Sequence, residues 1–272
     1  MNEDNSKLLI YQALPRLYGN VSGKNLPGGS IEENGCGKMS HFTCERLDDL
    51  RELGFTHVWY TGILEHATTT SYPGIMHDHP DVVKGRAGSP YAIKDYYDVD
   101  PDLADDPEER REEFRQLVER THASGLGVII DFVPNHLARQ YQSDCSPQLE
   151  EDFGERDDRD MRFRRDNNFY YLTDQMLVIG SDYGPEPSAY SEYPARATGN
   201  DVFHAHPSRD DWYDTVKLNY GVDPDTGVGD FGEPVPDTWV KMYHILCHWA
   251  MQGVDGFRCD MAEMVPVPFW RW

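Results

Sequence analysis

Apolar positions along the chain follow two alternating spacings, one typical of a helix and the other of a buried strand. In three places, a stretch with apolar residues three or four positions apart ends at a glycine, and a short aliphatic or aromatic run follows at once. These glycines are Gly54, Gly125 and Gly253. Because glycine often ends helices and buried parallel strands have continuous apolar runs, the pattern predicts repeated β–α units around a parallel sheet.

The same spacing sets approximate bounds for each element. The second helix has the clearest start, because Asp106 is placed as its N-cap, Pro107 as its first residue and Glu109 as the partner in a capping box. We predict helices at about 43–53, from 107 up to Gly125, and at about 238–252, and strands at 8–11, 55–60, 127–133 and 254–260. The sequence therefore predicts an α/β chain with four strands.

Two long segments follow predicted strands. Residues 61–105 separate the second strand from its helix, and residues 137–237 separate the third strand from its helix. Both segments lie at carboxyl ends of strands, which is the face that carries the site in parallel α/β proteins. We expect residues 1–136 and 238–272 to form one domain and residues 137–237 to form an inserted subdomain.

Two strand ends carry residues able to perform chemistry. Asp131, Asn135 and His136 lie at the end of the third strand, although each of these residue types also serves purely structural hydrogen bonds. On the fourth strand, Arg258 and Asp260 are two positions apart and therefore point to the same side. An arginine lowers the pKa of a nearby carboxyl group and keeps it ionised, as a nucleophile requires, but a buried structural ion pair has the same pattern.

These segments carry a family resemblance. Asp131–His136 and Gly256–Asp260 resemble the first and second conserved regions of the α-amylase family of glycoside hydrolases, family 13. Further stretches are similar to the family and follow its order, namely Tyr11–Arg16, Asn25–Gly29, Gly88–Ile93 and Asp95–Asp100. The resemblance implies a TIM barrel of the (β/α)8 type, of which about the first four β–α units are present, with a B-type subdomain after the third strand.

The resemblance also implies retaining hydrolysis, or transfer, at α-glucosidic bonds. Asp260 matches the family's nucleophile, and Arg258 matches the residue that keeps that carboxylate ionised and oriented. His136 matches a histidine that hydrogen-bonds the sugar, Tyr91 matches the aromatic platform beneath the sugar ring, and Asp131 matches a structural aspartate. These roles suit a sugar, whose C–H face packs on aromatic rings and whose hydroxyl groups need fixed polar partners.

One departure from the family concerns calcium. In many α-amylases, the residue that matches Asn135 binds calcium together with an aspartate, but Lys217 stands at the position of that aspartate here. An ammonium group could replace the cation and bind Asn135 and nearby carboxylates. We therefore expect calcium to be weakly bound or absent at Asn135, and no other cofactor to be required.

A second departure concerns the residues after the nucleophile. Met261–Met264 lacks the Lys-His pair that is usual in starch-degrading members, so the substrate range stays open. The family's general acid is a glutamate after a fifth strand, whereas this chain ends at Trp272 and Glu263 would face away from the nucleophile. We expect a truncated, catalytically incomplete chain with little turnover, and an open sheet edge prone to self-association.

Composition narrows the class of partner. The 272 residues include 48 Asp and Glu against 25 Lys and Arg, for a formal net charge of −23. Nucleic acids and anionic membranes attract basic surfaces, so we expect neither as a partner. An α-glucan or maltooligosaccharide is the expected ligand. The alternatives are a related glucosyltransferase or isomerase, and a non-catalytic carbohydrate-binding remnant.

The cysteines and the N-terminus bear on the compartment. The five cysteines are odd in number and lack paired metal-type spacing, so we expect buried free thiols in a reducing environment. No basic patch followed by an apolar run begins the chain. We therefore expect a cytoplasmic protein, or an exported one whose signal has been removed.

Overall fold

The computed structural model of the chain describes residues 7–147, 150–179 and 188–272. Contacts between residues group the chain into two compact units. The sheet unit consists of Met1–Leu64, Val99–Phe132 and His248–Arg258, and the insertion unit consists of Glu65–Asp98, Val133–Cys247 and Cys259–Trp272. This grouping follows contacts and not chain order, so the domain boundaries at 137 and 237 stay a prediction.

The regular elements are short and numerous. The strands are β1 (Ile10–Ala13), β2 (His57–Tyr60), β3 (Leu64–His66), β4 (Ile93–Val99), β5 (Gly127–Phe132), β6 (His136–Ala138), β7 (Tyr171–Leu172), β8 (Ala195–Arg196), β9 (Thr215–Lys217) and β10 (Gly256–Cys259). The α-helices are α1 (Ile31–Asn34), α2 (Cys44–Glu52), α3 (Arg110–Ala123), α4 (Asp237–Met251) and α5 (Val267–Arg271). None of the helices that the described residues form is both long and apolar enough to cross a membrane.

A four-stranded sheet in the order β1-β2-β5-β10 forms the centre of the sheet unit. The β1–β2 and β2–β5 pairs are parallel, as the β–α pattern predicted. In β5, every residue from Val128 to Phe132 is buried, as expected for a parallel strand covered on both faces. The described strands do not close into a barrel, and β1 and β10 lie at the two ends of the strand order.

The first strand lies two residues later than predicted. The apolar run that begins at Leu8 suggested a strand at 8–11, but β1 begins at Ile10. Leu8, Leu9 and Ile10 are all about half exposed or more, because β1 is the outermost strand of the described sheet. Pairing of another chain at this edge stays a prediction.

Helix α3 confirms its predicted apolar face, whereas Leu53, which the spacing placed on the apolar face of the first helix, lies beyond α2 and is 75% exposed. Phe114, Leu117 and Val118 of α3 are buried. One predicted cap is also wrong. Asp106 does cap this region by accepting from the backbone of Glu108, but the reciprocal acceptor for the backbone of Asp106 is Glu113 and not Glu109. The reason is that Pro107–Glu109 forms a single 3-10 turn, so the α-helix and its first-turn carboxylates begin later.

Antiparallel pairs and buried ion pairs organise the insertion unit. β6 pairs with β9, and β7 pairs with β8. Burial alone would raise the pKa of Glu192, but Arg139 and Arg196 lower it to about 2, and each lies 2.8 Å from one of its oxygens. The buried charge of Glu192 is therefore paired with two guanidinium groups, which offset the cost of its burial.

A tight turn places the segment that carries Tyr91. Gly88 has φ +74°, and a Cβ atom at this position would lie 1.7 Å from the backbone oxygen of Ala67. Gly85 has a similar φ of +70°, but a Cβ there would meet nothing within 4 Å. A side chain at Gly85 would therefore meet backbone strain alone, whereas a side chain at Gly88 would meet the same strain and a steric clash.

We expect Gly88→Ala to destabilise the fold far more than Gly85→Ala. Both variants place an alanine at a left-handed backbone position, which lowers the free energy of unfolding by roughly 1–2 kcal/mol. The collision with Ala67 adds roughly 1–3 kcal/mol at Gly88 alone. Urea unfolding of both variants measures the difference, and equal losses of stability would show that the close approach is not real.

Candidate functional site

One cavity of about 310 Å³ in the insertion unit collects three residues that the sequence singled out. Tyr91, His136 and Asp260 all line it, although 169 positions separate the first from the last (260 − 91). The other lining residues are Lys84, Ser89, Trp212, Asp214, Thr215 and Met261. The cavity thus combines two buried carboxyl groups with an imidazole and two large aromatic rings.

Local backbone geometry positions Asp260. It follows directly after β10 and is only 7% exposed. The next residue, Met261, has φ 48° and ψ 40°, a left-handed conformation that a non-glycine residue adopts at an energetic cost. The chain therefore turns sharply at Met261, and both residues line the cavity.

His136 is held as a neutral ring. It begins β6, is 3% exposed, and has its ring centre 5.0 Å from that of Trp212. Burial, and then the positive charges of Lys217 and Lys84, lower the pKa of His136 to about 3. The amide nitrogen Nδ2 of Asn135 lies 3.1 Å from Nδ1 of His136 and can only donate. The neutral ring therefore carries its hydrogen on Nε2.

Lys217 binds the amide oxygen of Asn135. The register of β6 and β9 pairs His136 with Lys217, and Nζ of Lys217 donates to Oδ1 of Asn135. The same ammonium group lies 2.9 Å from Oδ1 of Asp201 and 3.4 Å from the backbone oxygen of Met264. Burial lowers the pKa of Lys217, whereas Asp201 raises it. An ammonium group therefore already binds the amide oxygen of Asn135.

Asp131 and Arg258 lie in the sheet unit and contact each other. Nη1 of Arg258 is 3.2 Å from Oδ1 of Asp131, and the Arg258 guanidinium lies over the ring of Trp59, 5.1 Å from its centre. Oδ2 of Asp131 accepts the backbone N–H of Gly62 at 3.0 Å. Burial raises the pKa of Asp131, and these partners oppose that effect. Asp131 therefore anchors the loop after β2 to β5.

The sequence did not indicate four of the residues that line the cavity. They come from parts of the chain without any recognised motif, and they are Lys84, Trp212, Asp214 and Thr215. Nζ of Lys84 lies 3.1 Å from Oδ1 of Asp214, and burial raises the pKa of Asp214 while Lys84 opposes that rise. The one available signal was the run of acidic and aromatic residues at 210–214, directly before β9.

The lining of the cavity suits a neutral ligand with many hydroxyl groups. Tyr91 and Trp212 offer ring surface, and the neutral imidazole of His136, which is hydrogen-bonded to the backbone of Tyr91, lies beside them. The Asp214 carboxyl group is paired with Lys84, and the nearly buried carboxyl group of Asp260 lines the same cavity. Such an arrangement can bind a sugar and place a carboxylate beside it.

Comparisons with known proteins show the family to which the chain is similar. The family model described as alpha amylase, catalytic domain, matches residues 30–269. Neopullulanase 2 of Thermoactinomyces vulgaris is 22% identical over 97% of this chain, and an alpha-glucosidase of Apis mellifera is 29% identical over 95% of it. The chain spans 35% of the length of each of these two relatives.

The solved structures show the fold. An alpha-amylase from Lactobacillus plantarum aligns with 97% of this chain and 40% of its own length, with a TM-score of 0.52 and 22% sequence identity. This likeness shows the TIM-barrel-type fold that the resemblance implied, and the described residues supply a four-stranded parallel sheet of it.

We expect His136 to make folding sensitive to acid. The folded-state pKa of about 3 lies below the unfolded value of about 6.5, so the unfolded chain takes up the proton first as the pH falls. The resulting loss of stability is absent above pH 6.5 and grows as the pH falls toward 3. Between pH 7 and pH 4.5, His136→Asn should lose roughly 2–3 kcal/mol less unfolding free energy than the parent chain. Equal losses in urea titrations at the two pH values would contradict a buried neutral His136.

Proposed function

The chain belongs to the α-amylase family of glycoside hydrolases, the family whose catalytic-domain model matches residues 30–269, and from that premise we propose that it acts on α-glucosidic bonds of α-glucans or maltooligosaccharides by a retaining mechanism. The neopullulanase and the alpha-glucosidase named above point to the same class of bond. The observation that carries the proposal is that Asp260, His136 and Tyr91 line one cavity.

In this mechanism Asp260 is the nucleophile. One of its carboxylate oxygens forms a bond to the anomeric carbon while the bond to the leaving oxygen breaks, and water later hydrolyses the glycosyl ester with retention of configuration. Arg258 keeps the carboxylate ionised and oriented, a role that rests on the sequence match. Tyr91 lies beneath the sugar ring and His136 hydrogen-bonds a sugar hydroxyl group, and both roles rest on the sequence match.

The leaving oxygen also needs a proton from a second carboxyl group. The resemblance assigns that proton to a glutamate to which no residue of this sequence is matched. The proposal for this chain therefore concerns sugar binding and formation of the glycosyl-enzyme bond. A substrate with a leaving group that departs without protonation tests these steps separately from the acid.

Calcium takes no part in this proposal. The ammonium group of Lys217, together with Asn135 and Asp201, does the structural work that a calcium ion would do at this position. An ammonium group is a fixed part of the chain, so the geometry around Asn135 does not depend on the supply of metal.

We expect 5-fluoro-α-glucosyl fluoride to label Asp260 covalently. Fluoride leaves without a general acid, and the ring fluorine slows hydrolysis of the glycosyl-enzyme, so the adduct accumulates. Mass spectrometry of digested protein should find the added sugar on the peptide that contains Asp260. Asp260→Asn should remove the label, whereas Glu263→Gln, which changes an exposed carboxyl group three residues away, should retain it.

Two outcomes would count against this assignment. A label on any other residue would move the nucleophile elsewhere. Binding of maltotriose by the parent chain without any label on Asp260 would favour the carbohydrate-binding remnant over the hydrolase. If a label forms and the parent chain extends maltotriose instead of releasing reducing sugar, the activity is transfer and not hydrolysis.

We expect Lys217→Asp to make the thermal stability of the chain depend on calcium. The variant replaces the ammonium group with a carboxylate that lies near both Asn135 and Asp201. These three side chains then each offer an oxygen ligand to calcium. The Tm of the variant should be lower than that of the parent chain without calcium and should rise more on addition of calcium. The comparison uses the difference between the two proteins, so calcium bound elsewhere cancels. An equal rise in both would show that Lys217 does not replace the ion.

A further inference from the structure

A second group of side chains in the insertion unit lies outside the set that lines the cavity. Asp95, Asp98, Asp144 and Cys145 each present one potential ligand atom, and these four atoms lie within 4.8 Å of one another. We call these four residues the carboxylate–thiol cluster. None of them has a part in the proposed glycosidase chemistry, and the sequence pattern of the cysteines did not point to them.

Strand β4 and the loop at 143–145 build this cluster. Asp95 and Asp98 lie on β4 and are fully buried. The Asp95 carboxylate accepts the backbone N–H groups of Asp144 and Cys145, at 2.9 and 3.3 Å, and the hydroxyl group of Ser143 at 2.8 Å. Asp95 thereby holds the loop on the strand. As a result, the Cys145 thiol donates to Oδ2 of Asp98 at 2.9 Å.

A buried carboxyl group without a full set of partners, that of Glu65, is a second and independent observation. It lies on β3, is only 2% exposed, and its Oε2 atom has no hydrogen-bond partner among the described residues. After burial itself, the carboxylates of Asp95, Asp98 and Asp144 act most strongly on this group, and together they raise the pKa of Glu65 to about 9. An unsatisfied carboxyl oxygen therefore lies on β3, the strand hydrogen-bonded to the strand that carries Asp95 and Asp98.

The nearby positive charge is already engaged. Lys94 is the one cation among the main electrostatic neighbours of Glu65. Its ammonium group lies 3.0 Å from Oδ2 of the buried Asp78 and also donates to the backbone oxygen of Met76. The acidic groups around Glu65 thus outnumber the available cations, and buried like charges are unfavourable unless a cation or protons neutralise them.

We propose that the carboxylate–thiol cluster, together with Glu65, binds a divalent cation of the zinc class. Calcium and magnesium prefer oxygen ligands alone, whereas zinc accepts cysteine sulfur at about 2.3 Å and carboxylate oxygen at about 2.0–2.2 Å. On binding, a bond forms between the metal and Sγ of Cys145, and the thiol proton now donated to Asp98 passes to solvent. No oxidation or reduction accompanies this step.

The exposed side of the site provides an entry path. Asp144 is exposed and Cys145 is partly buried, whereas Asp95, Asp98 and Glu65 are buried. A metal ion reaching Asp144 and Cys145 would therefore join the loop to β3 and β4. The role of the ion is structural, because none of its ligands lines the cavity that holds Asp260.

Cobalt(II) absorbance tests the site in the full 272-residue chain. After removal of bound metal with a chelator, Co²⁺ should give a near-ultraviolet charge-transfer band that requires a thiolate ligand, and Zn²⁺ should displace it. Cys145→Ser should abolish the band, and the matched variant Cys44→Ser, which changes an exposed cysteine, should retain it. Absence of the band in folded parent protein, or its survival in Cys145→Ser, would overturn the proposal.

Thermal unfolding provides a second readout that does not depend on cysteine. Zn²⁺ should raise the Tm of the parent chain, and Glu65→Gln, which keeps the size of the side chain, should weaken zinc affinity roughly tenfold or more. The control Asp160→Asn changes an exposed acid of the same unit and should bind like the parent chain. Equal zinc affinity in Glu65→Gln and the parent chain would remove Glu65 from the ligand set and overturn the proposal as stated.

Discussion

The contact between the Lys217 ammonium group and the Asn135 amide determines much of the geometry of the insertion unit. Lys217 donates to one end of the amide, and the other end donates to the carbonyl of Gly199 and to Nδ1 of His136. The amide cannot rotate without breaking contacts on both sides. A buried charge on β9 therefore fixes which nitrogen of the His136 ring carries hydrogen, and it does so through hydrogen bonds that low local dielectric strengthens.

Positive charges lie near the cavity, although the chain as a whole is strongly negative. The protein carries a formal net charge of −23, yet burial and then two lysines depress the pKa of His136, and an ion pair between Lys84 and Asp214 lines the same cavity. Keeping the imidazole neutral preserves it as a directed hydrogen-bond donor where an imidazolium would bind carboxylates instead. The acidic surface and the lysine-containing site thus serve different purposes, solubility in one case and ligand selection in the other.

The sequence predicted features that depend on local pattern or on resemblance. The parallel strands, the buried faces of the helices and the presence of Tyr91, His136 and Asp260 in one cavity follow from spacing and motifs. The sequence did not predict features that depend on tertiary contacts. Glu113 replaces Glu109 because a 3-10 turn precedes the helix, and Trp212 reaches the cavity through a fold of the insertion that no periodicity encodes. The expectation that all thiols are buried was also wrong, since Cys44 is exposed and Cys145, Cys247 and Cys259 are partly buried.

The left-handed backbone at Met261 links the stability of the fold to the placement of its neighbour. Glycine would adopt φ 48° with little strain, so a methionine there keeps the native state less stable than the same backbone would allow. Relief of that strain would also give the backbone beside Asp260 more freedom. A more stable fold and a precisely positioned carboxylate therefore favour different residues at position 261. The methionine present there keeps the position of the carboxylate at the expense of stability.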